Sequence, residues 1–171
     1  SVFVTRAVSV FVSLLAAVSV GLTLRNFTQA RYWWSGVLLL SLAPAWFLHS
    51  RTAFETVEFV SLYAMALYAY LLYRLRSSRC LYLTLVLAAL AFYTYSPGQL
   101  VVTATALLLL LLDAPYHWQN RRVVGRGLLL ALVLGLPYLR FQVSHPFAAL
   151  EHLHLLDSYW LKPLSFGEKL R

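Results

Sequence analysis

Charge is scarce in this chain: 12% of its 171 residues are charged, against 61% apolar, and the mean hydropathy is +0.71. A soluble domain of this size needs a far more polar surface, so that class is excluded and an integral membrane protein is expected. A single cysteine, Cys80, rules out an internal disulfide and leaves the redox compartment unmarked. Internal repeats, low-complexity tracts and nucleotide-binding glycine loops are all missing.

What fills the chain instead is a series of apolar runs close to the ~20 residues that cross ~30 Å of hydrocarbon. The pattern predicts an all-α fold, a polytopic membrane helix bundle of about six transmembrane helices over 4–24, 33–48, 53–73, 80–95, 99–115 and 127–140. Residues 80–115 as one helix would reach about 50 Å, too long for a single span. Ser96-Pro97-Gly98 breaks that run into a hairpin, because proline removes a backbone donor and glycine accepts turn geometry. The run at 33–48 is short and carries Pro44, which predicts a kink or an incomplete span. Two domains are expected, a transmembrane bundle over 1–140 and a short extracytoplasmic segment over 141–171. A chain that opens on Ser1 in a spanning run and closes on Arg171 reads as an excerpt of a longer protein.

The positive charge sets an orientation. The formal net charge of +8 comes mostly from arginines in short loops, which points to membrane topology and away from nucleic acid. Arg25 and Arg31, then Arg74, Arg76 and Arg79, then Arg121, Arg122 and Arg126 mark three loops that alternate with weakly charged ones, so these three are expected in the cytoplasm. Tyr32, Trp33, Trp34, Tyr68, Tyr70, Tyr73, Tyr116 and Trp118 then fall at cytoplasmic helix ends, and Trp46, Tyr93, Tyr95 and Tyr138 at the opposite ends, as interfacial belts.

One polar group stands out, His49-Ser50-Arg51 with Glu55 and Glu58, between two apolar runs. Charge placed there is costly and usually functional. On one helix, Arg51, Glu55 and Glu58 would stack on one face at spacings of four and three residues. Arg51 offers a five-donor planar cation for a phosphate, and His49 can donate, accept or shuttle a proton. A plainer role stays open, in which Arg51 only neutralises Glu55 and His49 caps a turn. Tyr95 and Gln99, with Tyr93 and Ser96, could add hydrogen bonds to a sugar or lipid phosphate, or could be belt residues around a polar turn.

The segment after Arg140 differs in kind, with Glu151, His152, His154, Asp157 and Lys162 close together and no run long enough to cross. His152 and His154 are two apart, a spacing that shares a strand face and not a helix face, so no metal site is assigned. The Asn26-Phe27-Thr28 sequon falls in a loop expected in the cytoplasm and is read as chance.

Ala43-Pro44-Ala45-Trp46-Phe47-Leu48-His49-Ser50-Arg51-Thr52-Ala53-Phe54-Glu55 resembles a turn of bacterial membrane glycosyltransferases of the GT-C superfamily, related to protein O-mannosyltransferases and the aminoarabinose transferase. The spacing around His49 differs by one residue from the family pattern. Ala91-Phe92-Tyr93-Thr94-Tyr95-Ser96-Pro97-Gly98 is similar to a helix end of that group, and Ser158-Tyr159-Trp160 with Leu164-Ser165-Phe166-Gly167-Glu168-Lys169-Leu170 to the stretch after its central bundle.

The resemblance implies transfer of a sugar from a polyprenyl-phosphate carrier to an acceptor glycan, lipid or protein, at the extracytoplasmic face and with inversion at the anomeric carbon. It implies a multi-pass protein of the bacterial inner membrane. The family's catalytic acid lies upstream of this stretch, so no catalytic residue is named here. The cofactor is left open, since a divalent metal would be held mainly by residues elsewhere. His49, Arg51, Glu55, Glu58, Tyr95 and Gln99 are the candidates for lipid-phosphate or substrate binding. Two alternatives from other classes are a transporter or lipid flippase with a polar cleft lined by Arg51, Glu55 and Glu58, and a noncatalytic scaffold subunit.

Overall fold

A computed structural model describes residues 2–51 and 55–146, with side chains described from 7 to 50 and from 55 to 146. Most of the described residues are helical, with no strand among them. In order they form α1 Val2–Asn26, α2 Trp33–Leu42, α3 Pro44–Arg51, α4 Glu55–Leu75, α5 Cys80–Thr94, α6 Ser96–Leu112, α7 Ala114–Gln119 and α8 Arg121–Ser144. Three stretches are long and apolar enough to cross a membrane: Ala7–Asn26, Glu55–Leu75 and Arg121–Ser144. α2, α5 and α6 are apolar but shorter. Leucine and alanine, good helix formers, dominate these stretches, and many of their large side chains, among them Leu108, Leu111, Leu112, Leu129 and Val133, are exposed. Such a surface suits hydrocarbon, where helices must satisfy every backbone group internally.

The helix breaks follow from proline. Ala43, between α2 and α3, is extended (φ −64°, ψ 118°) because the ring of Pro44 disfavours helical backbone in the residue before it. Between α5 and α6 the break sits at Tyr95 (φ −146°, ψ 118°), not at Ser96-Pro97-Gly98 as the sequence suggests. Those three residues form the first turn of α6, where a missing N–H costs nothing. α8 is longer than the expected 127–140, starting at Arg121 and running to Ser144. Arg121, Arg122 and Arg126 therefore stand on its first turns, since arginine is itself a good helix former.

The chain divides into two units, Ser1–Leu134 and Gly135–Arg171. In the first, α4 packs chiefly against α1 and α5. Ser9 of α1 meets Glu58 and Asn26 meets Tyr68, so α1 and α4 run parallel. Ser9, Ser13, Ala16, Ser19 and Gly21 are the buried residues of α1 among the described side chains, and such small residues let two helices approach closely. α2 runs back against α1, with Gly36 under Leu24 and Gly21 beside Val37. α5 returns along α4 from a buried cluster of Tyr70, Tyr73 and Leu81, and α6 again runs parallel to α4, matching Tyr63 with Thr105 and Tyr70 with Asp113. α8 starts beside the same cluster through Val123 and Val124 and runs with α5, so that Tyr93 Oη donates to Leu134 O at 2.6 Å. All three basic loops thus lie at one end of the first unit. In the second unit the described residues finish α8, with Gln142 Nε2 donating to Tyr138 Oη at 2.8 Å and His145 stacked on Phe141 at 4.9 Å.

Candidate functional site

Two groups of polar side chains mark the two ends of α4. At its N-terminal end Glu55 and Glu58 occupy the first turn, where carboxylates are favoured by the helix dipole. Glu55 is exposed, whereas Glu58 turns towards α1 and accepts a hydrogen bond from Ser9 Oγ at 2.8 Å. His49 is exposed on α3. Arg51 is the last residue of α3, and its stacking with Glu55 runs through Thr52, Ala53 and Phe54, which lie outside the described residues, as does the Arg51 side chain. The Tyr95 ring leans on Phe59 at 5.8 Å, and Phe59 stacks on Tyr63 at 5.6 Å. Gln99, half-buried on α6, accepts at its backbone carbonyl from Thr103 Oγ1. The α3 helix and the Tyr95 break therefore adjoin the same end of α4. The expected features of the C-terminal segment, including Glu151, His152, His154, Asp157 and Lys162, lie outside the described residues.

Gly98 holds this end together. It is buried directly against the Phe59 ring, and a Cβ there would overlap atoms of that ring, which also packs against Tyr63 and Tyr95. Gly98→Ala should therefore cost about 1–3 kcal/mol of stability through overpacking. Thermal melting of the detergent-solubilised protein reads this, and Phe59→Leu should restore much of the loss. An unchanged melt would show that the ring moves freely.

The other end carries the denser network, which the sequence reading did not identify. Tyr70 and Tyr73, expected in a lipid-facing belt, are 7% and 0% exposed. Their hydroxyls explain it. Tyr70 Oη donates to the Asp113 carboxylate, and Tyr73 Oη pairs with His117 Nδ1 at 2.9 Å. Arg74 completes the group by an ion pair with Asp113 Oδ1 at 2.9 Å, its guanidinium lying 4.3 Å from the centre of the Tyr116 ring. Tyr116 Oη donates to Tyr73 O at 2.8 Å, satisfying a carbonyl at the open end of α4. Trp118, by contrast, is 75% exposed, as a belt residue would be.

Spacing builds this network. Tyr70 and Arg74 are one turn apart on α4, and Asp113 and His117 are one turn apart across α7, where His117 N donates to Asp113 O at 3.0 Å. Asp113, the one acidic residue between Glu58 and Glu151, was the available signal in the sequence. With its charge neutralised by Arg74 and a lone pair taken by Tyr70, Asp113 acts as a clasp between α4 and the α6–α7 turn. His117 is different, because Nε2 is buried and has no hydrogen-bond partner among the described residues. Its ring stacks on Tyr73 at 5.7 Å and lines a cavity of about 270 Å³ with otherwise mostly apolar walls. No group of three metal-ligating side chains occurs among the described residues.

Compared with protein-family models, with curated proteins and with solved structures, the chain matches none.

Proposed function

We propose that this chain is the membrane portion of a glycosyltransferase that moves a sugar from a polyprenyl-phosphate carrier to an acceptor at the extracytoplasmic face of a bacterial inner membrane. The observation that carries the reading is the convergence of the two segments that resemble such enzymes. Residues 43–51 form α3 and its approach, residues 91–98 form the α5–α6 break, and both adjoin the N-terminal end of α4, away from the basic loops. The six passages are α1, the α2–α3 pair, α4, α5, α6 and α8, with the arginine-rich ends in the cytoplasm.

At the extracytoplasmic end, Arg51 and His49 meet the lipid phosphate. The acceptor oxygen attacks the anomeric carbon as the bond from that carbon to the phosphate oxygen breaks, which inverts the centre and releases polyprenyl phosphate. The acceptor proton leaves to a base outside this stretch. The positive side chain acts where negative charge grows on the leaving phosphate, the place where electrostatic help lowers a barrier most.

Two measurements test this reading. Full-length protein in proteoliposomes, offered polyprenyl-phosphate-linked sugars, should release polyprenyl phosphate and glycosylate an acceptor; a folded protein that turns over none of them would sink the assignment. In a Cys80→Ser background, cysteines at Arg76 and Arg122 should resist an impermeant thiol reagent outside intact cells, while a cysteine at His145 should be labelled. Labelling at position 76 from outside would reverse the orientation and move the proposed site to the wrong face.

A further inference from the structure

We propose that the groove between α1 and α2 holds one acyl chain of an anionic phospholipid whose phosphate meets Arg25 at the basic end. The site stands apart from the sugar-transfer reading, which uses the N-terminal end of α4. On α1 the groove's wall runs from Ala17 through Gly21 to Arg25, one stripe at helical spacing and roughly 12 Å long. Trp33 and Val37 of α2 form the facing wall. Gly21 lets the two helices close on each other, since a Cβ there would lie 3.1 Å from Val37 Cγ2 and 3.4 Å from the Trp33 ring. What remains is a space of about 300 Å³, at the lower edge of the ~300–1,000 Å³ of small-ligand sites. A helix, about 10 Å across, does not fit it, whereas a single hydrocarbon chain does. Val18, which lines it, is 48% exposed, so the groove opens onto the surrounding hydrocarbon.

The head group follows from positive charge left without a counter-ion among the described residues. Arg25 is exposed and is itself part of the groove wall, its guanidinium 5.8 Å from the centre of the Trp33 ring. Arg31 follows in the same loop, 5.5 Å from the centre of the Tyr32 ring, and the single ion pair among the described residues, Arg74 with Asp113, engages neither arginine. The membrane-spanning stretch of α1 ends at Asn26, which puts Arg25 at the level of lipid head groups. There an arginine lays its stem along apolar surface and reaches phosphate with its head. α2 starts beside it without a side-chain cap, so the first-turn N–H groups of α2 also favour an anion. Two last-turn carbonyls of α1 that would repel one are already engaged, Thr23 O by Phe27 N at 3.0 Å and Leu24 O by Ala30 N at 3.1 Å. A zwitterionic phospholipid suits the site less, because its own ammonium competes with Arg25 for the phosphate.

The test titrates phosphatidylglycerol, brominated near the head-group end of its acyl chains, into phosphatidylcholine vesicles holding the full chain. Quenching of Trp33 is read as the difference between the parent and Trp33→Phe. It should saturate, and brominated phosphatidylcholine at the same fraction should quench far less. Arg25→Gln should weaken the apparent affinity for phosphatidylglycerol about 5- to 30-fold. Arg122→Gln, which removes the same charge from α8 outside the groove, should leave it at the parent value. Ala17→Phe, filling the deep end of the groove, should lower the quenching, and soluble glycerol phosphate should not compete, because it lacks the tail. In the unaltered protein, native mass spectrometry from detergent should retain one phosphatidylglycerol in preference to phosphatidylcholine, which keeps the idea testable if a variant misfolds. Equal quenching or equal retention of the two lipids, equal losses in Arg25→Gln and Arg122→Gln, full quenching in Ala17→Phe, or displacement by glycerol phosphate would each overturn it.

Discussion

Asp113→Leu should destabilise the folded protein by about 2–4 kcal/mol, read as loss of the folded fraction in a denaturant titration from mixed micelles. The substitution strands two groups at once. Arg74 loses the carboxylate 2.9 Å away, and Tyr70 Oη, on a side chain only 7% exposed, loses its acceptor. The fully buried case would cost ~3–5 kcal/mol when one partner is removed. Here the side chains of Arg74 and Asp113 are 34% and 18% exposed, so the solvent that reaches the pair reduces the penalty. The partner variant Arg74→Met should cost less, because Asp113 keeps Tyr70. Combining the two should cost less than their sum, since the apolar pair leaves neither charge alone. A clasp of this kind predicts a favourable coupling in that cycle, and strict additivity would show that the α6–α7 turn is held by packing alone.

Arg51→Ala, in the full-length protein, should slow transfer from a polyprenyl-phosphate sugar by about 30- to 1000-fold, equivalent to roughly 2–4 kcal/mol of transition-state stabilisation. Arg76→Ala removes the same charge from the basic end and should leave the rate close to that of the parent. The contrast is positional, because Arg51 closes α3 beside the N-terminal end of α4 and Arg76 follows its C-terminal end. Arg51→Lys should recover only part of the rate, as an ammonium keeps the charge and loses the bidentate fork. If Arg51→Ala, purified at normal yield and melting normally, transfers sugar at the parent rate, Arg51 has no role at the phosphate and serves only to neutralise Glu55.

Much of the bundle could be read in advance because its long helices are continuous apolar runs, and composition alone separates them from the loops. Pro44 and Pro97 also announced both breaks. The second was misplaced by one residue or more because proline is as comfortable in the first turn of a helix as in the turn before it. The α7 helix and the clasp were hidden for another reason. Treating arginines as markers of cytoplasmic loops, and tyrosines near them as belt residues, explains Arg76 and Trp118 well. The same treatment conceals that Arg74, Tyr70 and Tyr73 have partners far along the chain in Asp113 and His117. Such pairings leave only a faint local trace, here one acid followed a turn later by a histidine.

The extended residue at Ala43 divides one passage through the bundle into two rigid rods, and this gives α3 the character of a strut. Its arm, eight residues from Pro44 to Arg51, is roughly 12 Å long at the helical rise. At its near end the Ala43 N–H reaches both Leu39 O and Leu40 O, which ties the break to the last turn of α2. Along its length α3 is seated against α1, α2 and α4, so the strut sets the distance between the break and the tip that bears Arg51.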